Sequence, residues 1–146
     1  MSILTATTQT WATVPIRIAL GSIMFAHGAQ KVFGIWGGTG LETYTTGPAP
    51  FDLHPPGVWL TVFAFSELLG GLLIILGLLT RVAAFFIAFT VAIVITGVRL
   101  RNGFFQSEGG YEFQLAQLGM AMTLLILGGG KLSVDAKLPG KGGGKK

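Results

Sequence analysis

Residues 58–98 read VWLTVFAFSELLGGLLIILGLLTRVAAFFIAFTVAIVITGV, an almost unbroken apolar run whose only charges are Glu67 and Arg81. A membrane-crossing helix uses about 20 residues, so the run is too long for one span and must fold back. The break falls at Gly77-Leu-Leu-Thr80-Arg81. Gly77 can end a helix in the left-handed conformation, and Thr80 can cap the next. Two antiparallel spans follow, at 58–78 and 81–100. Upstream, RIALGSIMFAHGAQK at Arg17–Lys31 is apolar enough for a third span, 14–33, with Thr13 as its cap and Pro15 tolerated in its first turn. Downstream, a fourth span covers 111–127, opening with Glu112, Gln114 and Gln117 and stopping at Gly128-Gly129-Gly130. The expected architecture is all-α, an integral membrane four-helix transmembrane bundle. It forms a single domain over 1–146 with a mobile basic tail from about residue 138.

Composition supports the same class. Charged residues make up 11% of the chain, against about 25% in soluble proteins. Apolar residues reach 51%, and mean hydropathy is +0.68. The net charge of +4 does not point to nucleic acid. Four of the ten basic residues, Lys137, Lys141, Lys145 and Lys146, lie in the last ten positions, and no basic patch interleaved with aromatics occurs. With no cysteine, disulfides, thiol catalysis and Cys-ligated iron–sulfur or zinc sites are excluded within this chain. The N-terminal MSILTATTQTWATVP lacks the basic region of a secretory signal, so the first span is expected to be retained. Four spans put both termini on one side. Arg81 and the lysine tail share that side, whereas Glu42, Asp52, Glu108 and Glu112 lie opposite, so the termini are expected inside. Arg99 and Arg101 sit on the acidic side, against the trend. The loop from Gly34 to Gly57, with Trp36, Tyr44 and Phe51, reads either as an interfacial anchor or as a lid over a pocket.

The polar residues inside the spans carry the functional question. Arg17, Gly21, Met24, Gly28 and Lys31 share one helical stripe about 21 Å long, which suits contact with other helices rather than lipid. From the outer helix ends, His27 lies about 9 Å deep, Glu67 about 13 Å, and Gln114 and Gln117 about 5–9 Å. Lys31, Arg99 and Glu112 are shallower. All therefore share the outer half of the bundle. Arg17 lies alone at the other end, as a snorkelling anchor or an interhelical partner. Lys31 either snorkels or pairs with Glu67. The glutamines can glue helices or bind a ligand, and His27 can be a core histidine or a ligand-binding one. Glu67 has the strongest claim to a role, because a mid-helix carboxylate needs a cation or a proton. Gly70 and Gly71 on its side allow close helix approach.

An imidazole, a carboxylate that burial pushes toward neutrality, an ammonium and two amides suit a carbonyl-bearing amphiphile that exchanges protons at one membrane face. A quinone head group meets that description, as do several lipids. No HExxH, Walker or dinucleotide signature is present. His27 and His54 lack partners at i+3 or i+4, so no metal site is expected. His27 as an axial ligand to a porphyrin or chlorin stays open.

Three stretches in order, RIALGSIMFAHGAQK, ELLGGLLIILGLLTR at Glu67–Arg81 and GGGKLSVDA at Gly128–Ala136, resemble the DoxX family of small four-helix membrane proteins (DoxX/DoxD-like). The resemblance spans nearly all of 15–137. It implies kinship with a family that includes subunits of thiosulfate:quinone oxidoreductase and many members without a known role. Arg17, Lys31, Glu67 and Arg81 match the family's polar landmarks. No thiol in this chain can carry a persulfide.

The leading expectation is a quinone-interacting subunit of a membrane oxidoreductase in a bacterial-type cytoplasmic (inner) membrane. Glu67 and His27 would act as catalytic proton-exchanging groups. Lys31, Gln114, Gln117 and Arg99 would bind the quinone. The competing expectation is a non-catalytic accessory subunit of a larger respiratory or photosynthetic assembly. Expected partners are lipids and other membrane subunits, or further copies of the chain. A small transporter fits less well, since no pair of interrupted helices marks a midplane site.

Overall fold

In the computed structural model, which describes residues 4–138, five α-helices follow one another. They are α1 (Thr13–Phe33), α2 (Gly40–Tyr44), α3 (Pro56–Leu76), α4 (Thr80–Val94) and α5 (Glu112–Leu127). No strand occurs among the described residues. The basic tail expected to be mobile, with Lys141, Lys145 and Lys146, lies outside them. The four long helices pack in cyclic order, α1 on α3, α3 on α4, α4 on α5 and α5 back on α1. The α1–α3 seam is the most extensive and the α5–α1 seam the sparsest.

Glycines explain the tightest seam. A Cβ on Gly28 would run into the backbone of Leu68, and one on Gly71 into the backbone of Phe25. A Cβ on Gly21 would meet Ile75 and the Gly71 carbonyl. Both helices thus contribute small residues to one close crossing. Gly28 lies one turn before Lys31, and Leu68 directly follows Glu67, so this crossing draws those two side chains together.

The ring encloses Leu20, Met24, Ile74, Ala84, Ile87, Ala121 and Leu124, all buried. Its outside is apolar too: Ile18, Val62, Leu69, Phe85, Phe89, Met122 and Ile126 are exposed. Two helices are long and apolar enough to cross a membrane, Pro56–Leu76 and the continuous stretch Thr80–Asn102. The second is not α-helical throughout. After Val94 it widens into a π-helical turn, Ile95–Arg99, and closes as a 3-10 turn, Leu100–Asn102.

Of the two readings open for Arg17, the interhelical one is realised. Arg17 does not snorkel; it is 4% exposed. Its guanidinium donates to the carbonyls of Ile74 (2.9 Å) and Ile75 (2.7 Å) in the last turn of α3. It also reaches the carbonyls of Gly129 (3.0 Å) and Leu132 (2.8 Å) in the segment after α5. The last carbonyls of a helix have no partner within it, and a cation there also opposes the helix dipole. Burial removes water as the alternative partner, so the arginine fills the role.

Gly77 ends α3 in the left-handed conformation (φ 67°), with the Leu78 N–H returning to the Leu73 carbonyl, as expected for a glycine stop. Thr80, however, is not the cap of α4. Asp135 caps it from a distance, accepting the N–H groups of Leu79 (2.8 Å) and Thr80 (2.9 Å) and the Thr80 hydroxyl (2.7 Å). Thr13 likewise lies inside α1 rather than capping it, and its hydroxyl donates to the Gly129 carbonyl. Arg81 ties α4 to the end of α5 through the Ile126 carbonyl, 2.8 Å away. The GGGKLSVDA segment is therefore a strap closing one end of the helix ring.

Candidate functional site

At the opposite end, Lys31 donates to both carboxylate oxygens of Glu67, each at 2.5 Å. This is the one ion pair among the described residues. Of the two readings open for Lys31, pairing rather than snorkelling is realised. Glu67 is 5% exposed, and the stem of Lys31 runs outward so that its ammonium also lies 5.3 Å from the ring centre of Tyr44 on α2. Burial and the negative charge of Glu67 together push the Tyr44 phenol up to about 12.

Beside this pair opens a cavity of about 290 Å³, at the lower edge of the roughly 300–1,000 Å³ usual for small-molecule sites. His27, Lys31, Glu67, Arg99, Gln114 and Gln117, the six candidates from the sequence, all line it. Helices α1, α3, α4 and α5 each contribute. The side chains differ in how they are held. Gln117 is 4% exposed and donates to the Met24 sulfur at 3.6 Å, a weak bond between α5 and α1. Arg99, carried inward on the π-helical turn, donates through Nη1 to the Gly109 carbonyl at 3.0 Å. Its buried Nε has no hydrogen-bond partner among the described residues, and neither has the buried Oε1 of Gln114. Which amide atom of Gln114 faces inward is an assignment; either orientation leaves a polar atom unmatched.

His27 is not a core histidine, and the reading as a ligand-binding one stays open. It is exposed, at the mouth of the cavity on the sparse α1–α5 seam, edge-on to Phe113 with ring centres 6.3 Å apart. Glu112 stays outside the cavity and accepts the Gln106 N–H.

The sequence did not single out Thr90, Gln106 or Phe113, which complete the wall with Met24, Val91 and Val94. Thr90 is 2% exposed. A hydroxyl within the apolar run 81–98, at the depth of Glu67, was the signal available for it.

The aromatic loop between α1 and α3 is compatible with an interfacial anchor and not with a lid over the cavity. Ala49, Tyr44 and Leu53 pack with Leu60, Phe63, Trp59 and Ile93, so the loop is seated on α3 and α4. Phe51 and Pro50 lie against Gly97, where the π-helical turn has no side chain. Trp36 and Phe51 remain exposed, which suits an interfacial anchor. None of the loop's described residues lines the cavity. It buttresses the ion pair from behind and is not a lid.

Comparison with known proteins places this geometry in a family. The chain is 29% identical over 122 residues to an "Uncharacterized protein" of Haemophilus influenzae, covering 82% of this chain and 78% of that one. It is 30% identical over 123 residues to the Bacillus subtilis protein named "Putative oxidoreductase CatD", covering 84% of each. No solved structure matches the chain. The DoxX family model matches residues 12–100, the stretch that holds Arg17, the glycine crossing, the Lys31–Glu67 pair and the π-helical turn. The chain belongs to the DoxX family.

Proposed function

We propose that this protein is a four-helix transmembrane bundle of a bacterial-type cytoplasmic membrane, with both termini inside, and that it serves as a quinone-interacting subunit of a membrane oxidoreductase. The observation that carries the reading is the outer cavity. Unmatched polar atoms of Arg99 and Gln114 sit there beside a nearly buried ion pair, in a protein whose helices are otherwise apolar within and without. Buried polar atoms without partners cost stability, and at a cavity wall a ligand can complete them; the buried Nε of Arg81, away from this cavity, is unmatched as well. The name of the Bacillus subtilis relative supports the oxidoreductase class.

A quinone bound in the cavity supplies the acceptor for electrons delivered by a partner subunit. The residues of this chain bind, orient and manage protons. An ammonium has three N–H donors, so Lys31 can keep Glu67 and still hold a ligand oxygen. His27, at the mouth, exchanges protons with the outside, and Glu67 passes them inward once a ligand oxygen shares its lysine. Gln114 and Gln117 set the head group's orientation. The test is quinone-dependent turnover, together with quinone retained after gentle extraction, in wild type and Glu67→Gln. Equal turnover and retention in both would remove Glu67 from the mechanism.

A second reading is favoured by one observation: both oxygens of Glu67 are already held by Lys31. A non-catalytic accessory subunit of a larger respiratory or photosynthetic assembly would use the pair as a structural tie between α1 and α3. A double-mutant cycle with Lys31→Met and Glu67→Gln separates the two. Strong coupling in assembly yield with unchanged quinone chemistry supports the accessory role.

A further inference from the structure

We infer that the outer cavity is built for an anionic amphiphile, with its oxyanion received by Arg99 and a second polar atom received by the amide of Gln114. The inference concerns the cavity of the proposed function but rests on its charge balance rather than on quinone chemistry. Lys31 and Glu67 cancel each other. Arg99 then remains as a cavity-lining cation with no carboxylate within 4.0 Å among the described residues. Of the acids near it in sequence, Glu112 is turned to the Gln106 N–H, and Glu108 makes no ion pair among the described residues. His27 adds no negative charge, and Tyr44 stays a neutral phenol at ordinary pH.

A guanidinium that is partly buried in an apolar protein calls for acceptors or a counter-charge; Arg17 is met by four carbonyls, Arg99 by one. The usual solution is a paired carboxylate, and it is present for Lys31 but missing for Arg99. Nη1 is committed to the Gly109 carbonyl, which fixes the plane of the group, and Nε is left as an unmatched donor. Charge-assisted bonds from guanidinium to oxyanion are short and strong. On the same cavity wall Gln114 offers an unmatched amide atom, which a ligand hydroxyl or N–H can complete when it is the oxygen. The remaining wall, Met24, Val91, Val94 and Phe113, is apolar. It would hold a hydrocarbon ring or chain rather than a fully hydrated ion.

The experiment titrates the detergent-solubilised full chain by calorimetry with probes that separate charge from quinone character. 2-Naphthoate is an anion and not a quinone; 2-methoxy-1,4-naphthoquinone is a neutral quinone; 2-hydroxy-1,4-naphthoquinone, ionised at neutral pH, is both. Saturable binding of the two anions, at least about tenfold tighter than the neutral quinone, is the expected result. Arg99→Gln should abolish that preference and Arg99→Lys should retain part of it. Since Arg99 also holds Gly109, the charge series on the unmodified protein decides the matter if the variants misfold. Equal affinity for both naphthoquinones, with no naphthoate binding, overturns the inference and leaves the quinone reading standing. Naphthoate binding without either quinone does the reverse. Sodium sulfate, at matched ionic strength against chloride, is expected not to displace naphthoate. Sulfate bound in place of naphthoate overturns the amphiphile in favour of an inorganic oxyanion.

Discussion

Two arginines at opposite ends of the helix ring, Arg17 and Arg99, are held in opposite ways. Arg17 meets four backbone carbonyls, so most of the five donors of a guanidinium are satisfied. Arg99 meets one carbonyl and keeps a buried donor unmatched at a cavity wall. A charge surrounded by the protein's own acceptors works as a fastener, whereas one left incomplete is a socket. The ends also differ in what their carboxylates do. Asp135 is spent on three bonds to the start of α4, while Glu67 borders open space.

This contrast can be broken most directly at Arg17. Arg17→Met should remove the arginine's bonds to four carbonyls and cost about 3–5 kcal/mol, the scale for removing one member of a buried charged network. Loss of folded yield, or a large drop in the unfolding midpoint in detergent, is the measurement. A midpoint within a degree or two of wild type would show that this end is not a fastener. Next in size, Gly28→Ala forces a methyl into the Leu68 backbone and should cost about 1–3 kcal/mol by overpacking. It should also part Lys31 from Glu67, so a spin-label or cross-linking distance across α1 and α3 should lengthen. Asp135→Ala removes a helix cap and should cost about 0.5–2 kcal/mol, read as earlier thermal unfolding with the cavity's ligand binding unchanged. The smallest stability effect belongs to the socket. Gln114→Leu replaces an unmatched polar side chain by an apolar one of similar length and should leave the midpoint within about 0.5 kcal/mol of wild type, or raise it. Probe binding in the cavity should fall all the same. A clear destabilisation would make Gln114 structural and erase the distinction between the ends.

The socket end was largely legible in the sequence, and the fastener end was not. His27, Lys31, Glu67, Gln114 and Gln117 could be placed at similar depth because rise per residue and helix length are local quantities. Two antiparallel turns then bring similar depths together. Arg99 was found for the same reason, although its inward aim depends on the π-helical turn at Ile95–Arg99, which no hydropathy pattern announces. His27 was placed at the right depth, but its exposure was not legible, since that depends on how closely α5 meets α1. The partners of Arg17 lie 57, 58, 112 and 115 residues away along the chain. The cap of α4 is supplied across 55 residues. Periodicity cannot see a strap that returns from beyond the last helix, so a local cap was expected at Thr80 and snorkelling stayed open at Arg17. The glycines were read correctly as points of close approach, because lack of a side chain has the same meaning in every context.

The strap also has a consequence for biosynthesis. Arg17 leaves the ribosome early, yet half of its acceptors lie at Gly129 and Leu132, and the cap of α4 waits for Asp135. Until that segment is made, the first helix carries a charge only partly neutralised by the end of α3, and the start of α4 has bare N–H groups. A chain truncated before residue 129 is therefore expected to be cleaved more readily around Arg17 in limited proteolysis than the full chain. Closure of the ring thus waits on the segment that follows α5.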